Sequence, residues 1–157
     1  MSPTLTPTCQ ICGRAIRAKT GLVAHHGYRR PQPYLQTRSC FGARRRPYEV
    51  AYDAIDEYLG LLKIWLEDAA ASVETFWYVP PGYLTYRHQR DAWDPGKTIR
   101  VDRPANFNPG SPHDTYIPRT YAYLYRIELR DRERAVLDLT AWQKEITTRR
   151  AAWVAPT

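Results

Sequence analysis

Apolar or small side chains at Tyr52, Ile55, Leu59, Leu62, Leu66, Ala69, Val73 and Phe76 recur in alternating steps of three and four. That spacing places them on one face of an α-helix. The run covers more than three heptads, so it predicts a long helix with a coiled-coil seam. Pro47 suits its first turn, and Pro80-Pro81-Gly82 stops it. A second helix is expected from near Pro118 or Arg119 to about Val154. Tyr121, Leu124 and Tyr125 lead its apolar positions, and Val136, Leu139, Trp142, Ile146 and Trp153 resume them. The charged stretch IELRDRERAV between reads mostly as a solvated face, in which Glu128 and Arg132 are the attractive pair at four-residue spacing. The two helices are expected to bury one long seam as an antiparallel hairpin. Pairing of each helix with its copy in a homodimer is the alternative.

Residues 77–117, between the helices, are rich in Pro, Gly, Asn and aromatics. A connection of this length without structure is unusual. Tyr83 to Gln89 and Thr98 to Asp102 are expected as two short strands around the turn signal Asp94-Pro95-Gly96. Trp77, Tyr78, Tyr83, Tyr86 and Trp93 are expected to fold over the hairpin, because large exposed aromatic patches are uncommon on monomers; exposure for a partner is the alternative.

The first 46 residues follow neither pattern. They hold all three cysteines and nine cations, Arg14, Arg17, Lys19, Arg29, Arg30, Arg38, Arg44, Arg45 and Arg46, without one Asp or Glu. Beyond Arg46 acids slightly outnumber bases, so the net charge of +7 is a local property of the amino-terminal segment. A length of 157 residues suits one modest core or a small module with a helical body. The expected fold is mainly α: a basic zinc-finger-like module over 1–46, then a helical hairpin over 47–157 with an irregular or short β-hairpin insertion at 77–117. No apolar run approaches the roughly 20 residues that span a bilayer, and no signal-peptide pattern opens the chain. A soluble protein of the cytoplasm, without membrane partners, is expected.

Cys9-Gln10-Ile11-Cys12-Gly13 is a tight turn whose thiolates can converge on one metal. Three cysteines fit metal ligation better than a disulfide framework, which would leave an odd thiol. Twelve residues separate Cys12 from His25, and Ile16 and Leu22 lie where a ββα finger keeps its apolar plug. In that geometry Leu22 and His25 sit a helical turn apart. A second histidine at finger spacing is missing, so Cys40 supplies the fourth ligand. The expected zinc site is Cys9, Cys12, His25 and Cys40, with His26 in place of His25 as the alternative. A module with so few apolar residues is expected to depend on its metal. A redox role for the C-x2-C pair is disfavoured, since no strand precedes it.

The segments CQICGR, AHHGYRRP and QTRSCFGARRRPYEV together resemble a group of small uncharacterised bacteriophage proteins over about residues 8 to 54. The resemblance implies a zinc-binding front end and a phage-like setting, hence the cytoplasm of a host cell.

On the finger analogy the base-reading positions fall on Ala18, Gly21 and Ala24. None makes a bidentate base contact, so sequence readout is disfavoured. Cations interleaved with Tyr28, Tyr34, Phe41 and Tyr48 instead suit phosphate contact with base stacking, and Arg44-Arg45-Arg46 is the densest point. Ala24-His25-His26 is similar to the motif of His-Me finger nucleases, but residues 27–46 hold no further His, Asn, Asp or Glu to complete such a site. The expectation is a zinc-stabilised, non-enzymatic protein that binds DNA or RNA. A module that inhibits a host protein is the alternative, and a nuclease the third.

Overall fold

The computed structural model describes residues 6–27, 39–89, 96–111 and 118–155. The chain divides into two compact units, Met1–Trp65 with Thr140–Thr157, and Leu66–Leu139. Six elements occur in order among the described residues: β1 (Ala18–Lys19), β2 (Leu22–Val23), α1 (Asp53–Tyr78), β3 (Tyr83–His88), β4 (Lys97–Asp102) and α2 (Tyr121–Ala151). The architecture is mainly helical with small antiparallel sheets. The amino-terminal module is not a separate unit bounded at residue 46, since it shares the first unit with the start of α1 and the end of α2.

In the first unit, the segment expected to be the helix of a ββα finger is a hairpin. Ala18 pairs with Val23 and Lys19 with Leu22. Thr20 and Gly21 both take positive φ, 54° and 78°, the pair of left-handed residues that closes a two-residue hairpin. Leu22 is accordingly exposed while Val23 is buried, and Ile11 rather than Leu22 is fully enclosed. Ala18, Gly21 and Ala24 therefore do not form a recognition-helix face.

Pro47 does not open α1. Its carbonyl accepts the amides of Val50 and Ala51 in a turn of its own, and the helix begins at Asp53. All eight seam positions from Tyr52 to Phe76 are buried or half-buried. In the first unit Ala54 and Tyr58 are buried as well, which makes the apolar face wider than a two-position seam. Tyr58 stacks obliquely on Phe41 at 5.1 Å, and its hydroxyl accepts from Trp142 Nε1 at 3.0 Å. Trp153 meets Tyr52 edge-on at 4.5 Å. Arg150 bonds Asp56 at 2.7 Å and lies 3.5 Å over the Tyr52 ring.

The second unit is built around Phe76, Tyr121, Tyr125 and Leu129, with Val73, Leu84, Val101 and Phe107 packed against them. Phe76 and Tyr125 stack at 4.6 Å, and the Tyr125 hydroxyl donates to the Phe76 carbonyl at 2.9 Å. Burial pushes the Tyr125 and Tyr121 hydroxyls above the ordinary tyrosine range. β3 and β4 pair in register from Tyr83↔Asp102 to His88↔Lys97. Of the expected turn, Asp94 and Pro95 lie outside the described residues, and Gly96 has φ +72°. α2 starts with the Thr120 hydroxyl accepting the Tyr123 amide at 3.3 Å, an N-cap.

The charged middle of α2 is mostly exposed, as its pattern suggested, and Arg132 is the side chain that packs inward. Arg132 pairs with Glu128 at 2.7 Å and sits 4.0 Å over the Phe76 ring. Arg134 reaches forward to Asp138 at 3.0 Å. Exposed pairs of this kind contribute about 0–1 kcal/mol, against about 1.5–3 kcal/mol for each fully buried large apolar side chain. Aromatic packing therefore holds this unit.

Candidate metal centre

Cys9, Cys12, His26 and Cys40 bring one ligand atom each to within 4.8 Å of one another. A tetrahedral ion with metal–sulfur bonds of about 2.3 Å and a metal–nitrogen bond of about 2.1 Å sets its sulfurs about 3.8 Å apart and its sulfur–nitrogen edges about 3.6 Å. The Cys9 and Cys40 sulfurs are 3.8 Å apart, and Cys12 Sγ lies 3.4 Å from His26 Nε2. These two edges match such an ion, and the whole set lies within 4.8 Å.

Each ligand is placed by backbone geometry. The Cys9 amide bonds the Arg14 carbonyl at 2.9 Å, and the Gly13 amide bonds the Cys9 carbonyl at 3.0 Å. This closes the C-x2-C turn, with Gly13 at φ +67°. Cys40 is tied to the histidine segment by its amide, which donates to the His26 carbonyl at 2.8 Å, next to the isolated bridge between Gly27 and Ser39. Gly42 lies so close to the thiols that a Cβ there would stand 2.4 Å from Cys9 Sγ.

The histidine is His26, not the expected His25, which is exposed and outside the cluster. The count from Cys12 to His25 presupposed a helix that a hairpin replaces. His26 Nδ1 bonds the Ala24 carbonyl at 2.8 Å; this places the proton on Nδ1 and leaves the Nε2 lone pair facing the thiols. Arg14 Nε donates to Cys12 Sγ at 3.4 Å, and its far nitrogen donates to the Gly27 carbonyl. Among the thiols, hydrogen bonds from Cys40 and Cys9 push Cys12 far down, and the same contact with Cys12 pushes Cys40 far up. Crowding thus favours one thiolate and keeps its two neighbours protonated, and a cation bound among them would favour the thiolate form of all three.

Two residues outside the expected set lock this turn to the helices. Gln10 is fully buried. Its Oε1 accepts the Ala54 amide at 3.0 Å, and its Nε2 donates to the Arg46 carbonyl at 2.8 Å and to Asp53 Oδ1 at 3.1 Å. Gln10 thus satisfies one of the free amides of the first turn of α1. From α2, Arg149 donates to the Ile11 carbonyl and pairs with Glu145 at 2.8 Å. The position of Gln10 inside the C-x2-C turn carries no sequence signal of this role.

The nine expected nucleic-acid contacts separate into groups. Arg29, Arg30 and Arg38 lie outside the described residues, as does the side chain of Lys19. Arg14 is bound to the metal turn, Arg45 pairs with Glu57 at 2.8 Å, and Arg46 pairs with Asp53 at 3.1 Å. Arg17 and Arg44 are exposed. Arg44 has φ 62°, uncommon for a residue with a side chain. Its amide bonds the Val23 carbonyl and the Arg17 carbonyl accepts the Ala24 amide, both at 2.8 Å. Hence Arg17 and Arg44 flank β2, while two arginines of the Arg44-Arg45-Arg46 run are committed to acids of α1.

No helix among the described residues is long and apolar enough to cross a membrane. Comparison of the chain with family models, with curated proteins and with solved structures returned no match.

Proposed function

We propose that this protein is a zinc-stabilised, non-enzymatic nucleic-acid-binding accessory factor whose amino-terminal module grips phosphate without reading sequence. The observation that carries the zinc reading is the closed set of Cys9, Cys12, His26 and Cys40. Three thiolates and an imidazole are a soft, tetrahedral donor set that suits zinc, and four protein ligands leave no open position for substrate. His26 supports a structural role over a nuclease because Nδ1 is engaged by Ala24 and Nε2 faces Cys12. The antiparallel pairing of α1 with α2, and the phage-like setting in a host cytoplasm, belong to the same proposal.

Support for phosphate contact comes from the localisation of charge in the first 46 residues and from the exposed pair Arg17 and Arg44. Fluorescence anisotropy of the zinc-loaded protein with labelled duplexes of unrelated sequence tests the reading. Replacing Arg17 and Arg44 by Ala is expected to weaken all sequences alike and to flatten the salt dependence by roughly one log unit per lost phosphate contact. Unchanged binding would overturn the assignment of phosphate contact to these two arginines, and binding to no nucleic acid at low salt would favour the module that inhibits a host protein.

A further inference from the structure

The second unit carries a cleft that the amino-terminal cations do not reach in sequence. It has a volume of about 560 Å³ and is lined by Trp77 and Tyr78 from the last turn of α1, by Arg103 just after β4, and by Phe107 and Asn108 of the following loop. The volume falls within the roughly 300–1,000 Å³ of small-ligand sites. Trp77 is 41% and Tyr78 73% exposed, so these rings do not cover the helices as the sequence pattern suggested.

The walls are pre-formed. Phe107 is braced edge-on by Tyr121 at 4.7 Å and Tyr125 at 4.9 Å. Its amide bonds the Pro104 carbonyl at 3.1 Å, and the Asn108 side chain accepts the Gly110 amide at 3.0 Å. Arg103 donates to the Pro80 carbonyl at 2.6 Å, which fixes a guanidinium at the end of α1.

The chemistry selects among ligands. Arg103 is the cleft's one ionic group, and no carboxylate lines it among the described residues. The carboxyl-terminal end of α1 carries partial negative charge and no basic side chain in its last turn, which disfavours a phosphate in the cleft itself. Aromatic faces with a guanidinium and a side-chain amide suit a flat heteroaromatic ring that stacks and accepts hydrogen bonds, attached to an anionic backbone that passes outside. We infer that this cleft stacks an unpaired nucleobase, and that the protein therefore prefers single-stranded to duplex nucleic acid. The inference rests on the nucleic-acid reading above and adds the strand type and the contact residues.

Two labelled strands of equal length and charge separate base from phosphate: an oligothymidylate and an abasic sugar-phosphate strand. The zinc-loaded full-length protein is expected to bind the oligothymidylate about 5- to 150-fold more tightly, the range of one stacked base. Trp77→Ala or Tyr78→Ala should abolish that preference and leave abasic-strand affinity unchanged, while Tyr78→Phe keeps it. Both positions are exposed, and circular dichroism of each variant verifies the fold. Equal affinity for the two strands, or a preference that survives both alanine substitutions, would overturn the base site and leave phosphate gripping intact. Failure to bind either strand or any duplex would overturn both. A proline-rich peptide captured by Trp77 and Tyr78 in place of the oligothymidylate would also overturn the inference.

Discussion

His26 divides its two nitrogens between two tasks. Nδ1 is spent on the Ala24 carbonyl, and Nε2 is turned toward the three sulfurs. His25, one residue earlier, has the same chemistry and none of the geometry. His26→Ala is expected to lower zinc affinity by orders of magnitude, because a fourth ligand is lost from a closed site, whereas His25→Ala should leave zinc content near one equivalent. A metal-release assay with a chromogenic chelator reads both, and the opposite ranking would refute the assignment. Gly42 belongs to the same scale. Any side chain there meets Cys9 Sγ, so the glycine after Cys40 is as much a part of the site as its ligands.

At the scale of elements, the joint between the metal turn and α1 depends on Gln10. Its amide reaches Asp53, and that hydrogen bond, outweighing desolvation and supported by Arg46, holds the Asp53 carboxyl below its ordinary value. A depressed carboxyl stabilises the fold fully above the unfolded value of about 3.9, and the contribution is lost as pH falls through the folded value. Gln10→Ala leaves the Ala54 amide without its acceptor in a buried position. The expected cost is about 1–3 kcal/mol in urea unfolding at neutral pH, together with a shallower loss of stability on the acid side. An unchanged midpoint would show that the joint is not held by this side chain. These elements also mark what the sequence makes legible. The seam of α1 was readable because eight side chains repeat at the helical period, and β3 with β4 because β-favouring residues flank a turn. The amino-terminal module was not, since a two-residue strand pair has no measurable period and its register depends on Thr20 and Gly21 adopting positive φ. The four-residue rule likewise found Glu128 with Arg132 but not Arg132 over Phe76, a contact between helices distant in sequence.

For the whole molecule, both units bury apolar side chains, and the first adds a cluster of thiols to its core. The second has a core of stacked aromatics, Phe76, Tyr121 and Tyr125, with Leu129. The first places two thiols, Cys9 and Cys40, among its most enclosed side chains. Structural zinc supplies about 10–16 kcal/mol of apparent binding free energy, comparable to or above the roughly 5–15 kcal/mol that separates a folded domain from its unfolded state. Stripping the metal with a tight chelator is therefore expected to melt the first unit, with near-ultraviolet dichroism from Trp142 and Trp153 lost and part of the helical signal retained. Full retention of the near-ultraviolet signal after verified removal would show that the thiol cluster is not the staple.

The bond from Arg149 to the Ile11 carbonyl joins residues 138 positions apart, and the Tyr48 hydroxyl meets the Arg149 carbonyl across 101. Contacts of such separation have a consequence for synthesis. With translation at roughly 5–20 residues per second, about 5–20 s pass between the emergence of Arg46 and that of Arg149. For that interval the nascent metal turn lacks its clasp from α2, and its thiols are open to oxidants and to competing ions. On the proposed zinc reading, the order in which the ribosome delivers the chain would make early metal capture a race against thiol oxidation until the last turns of α2 arrive.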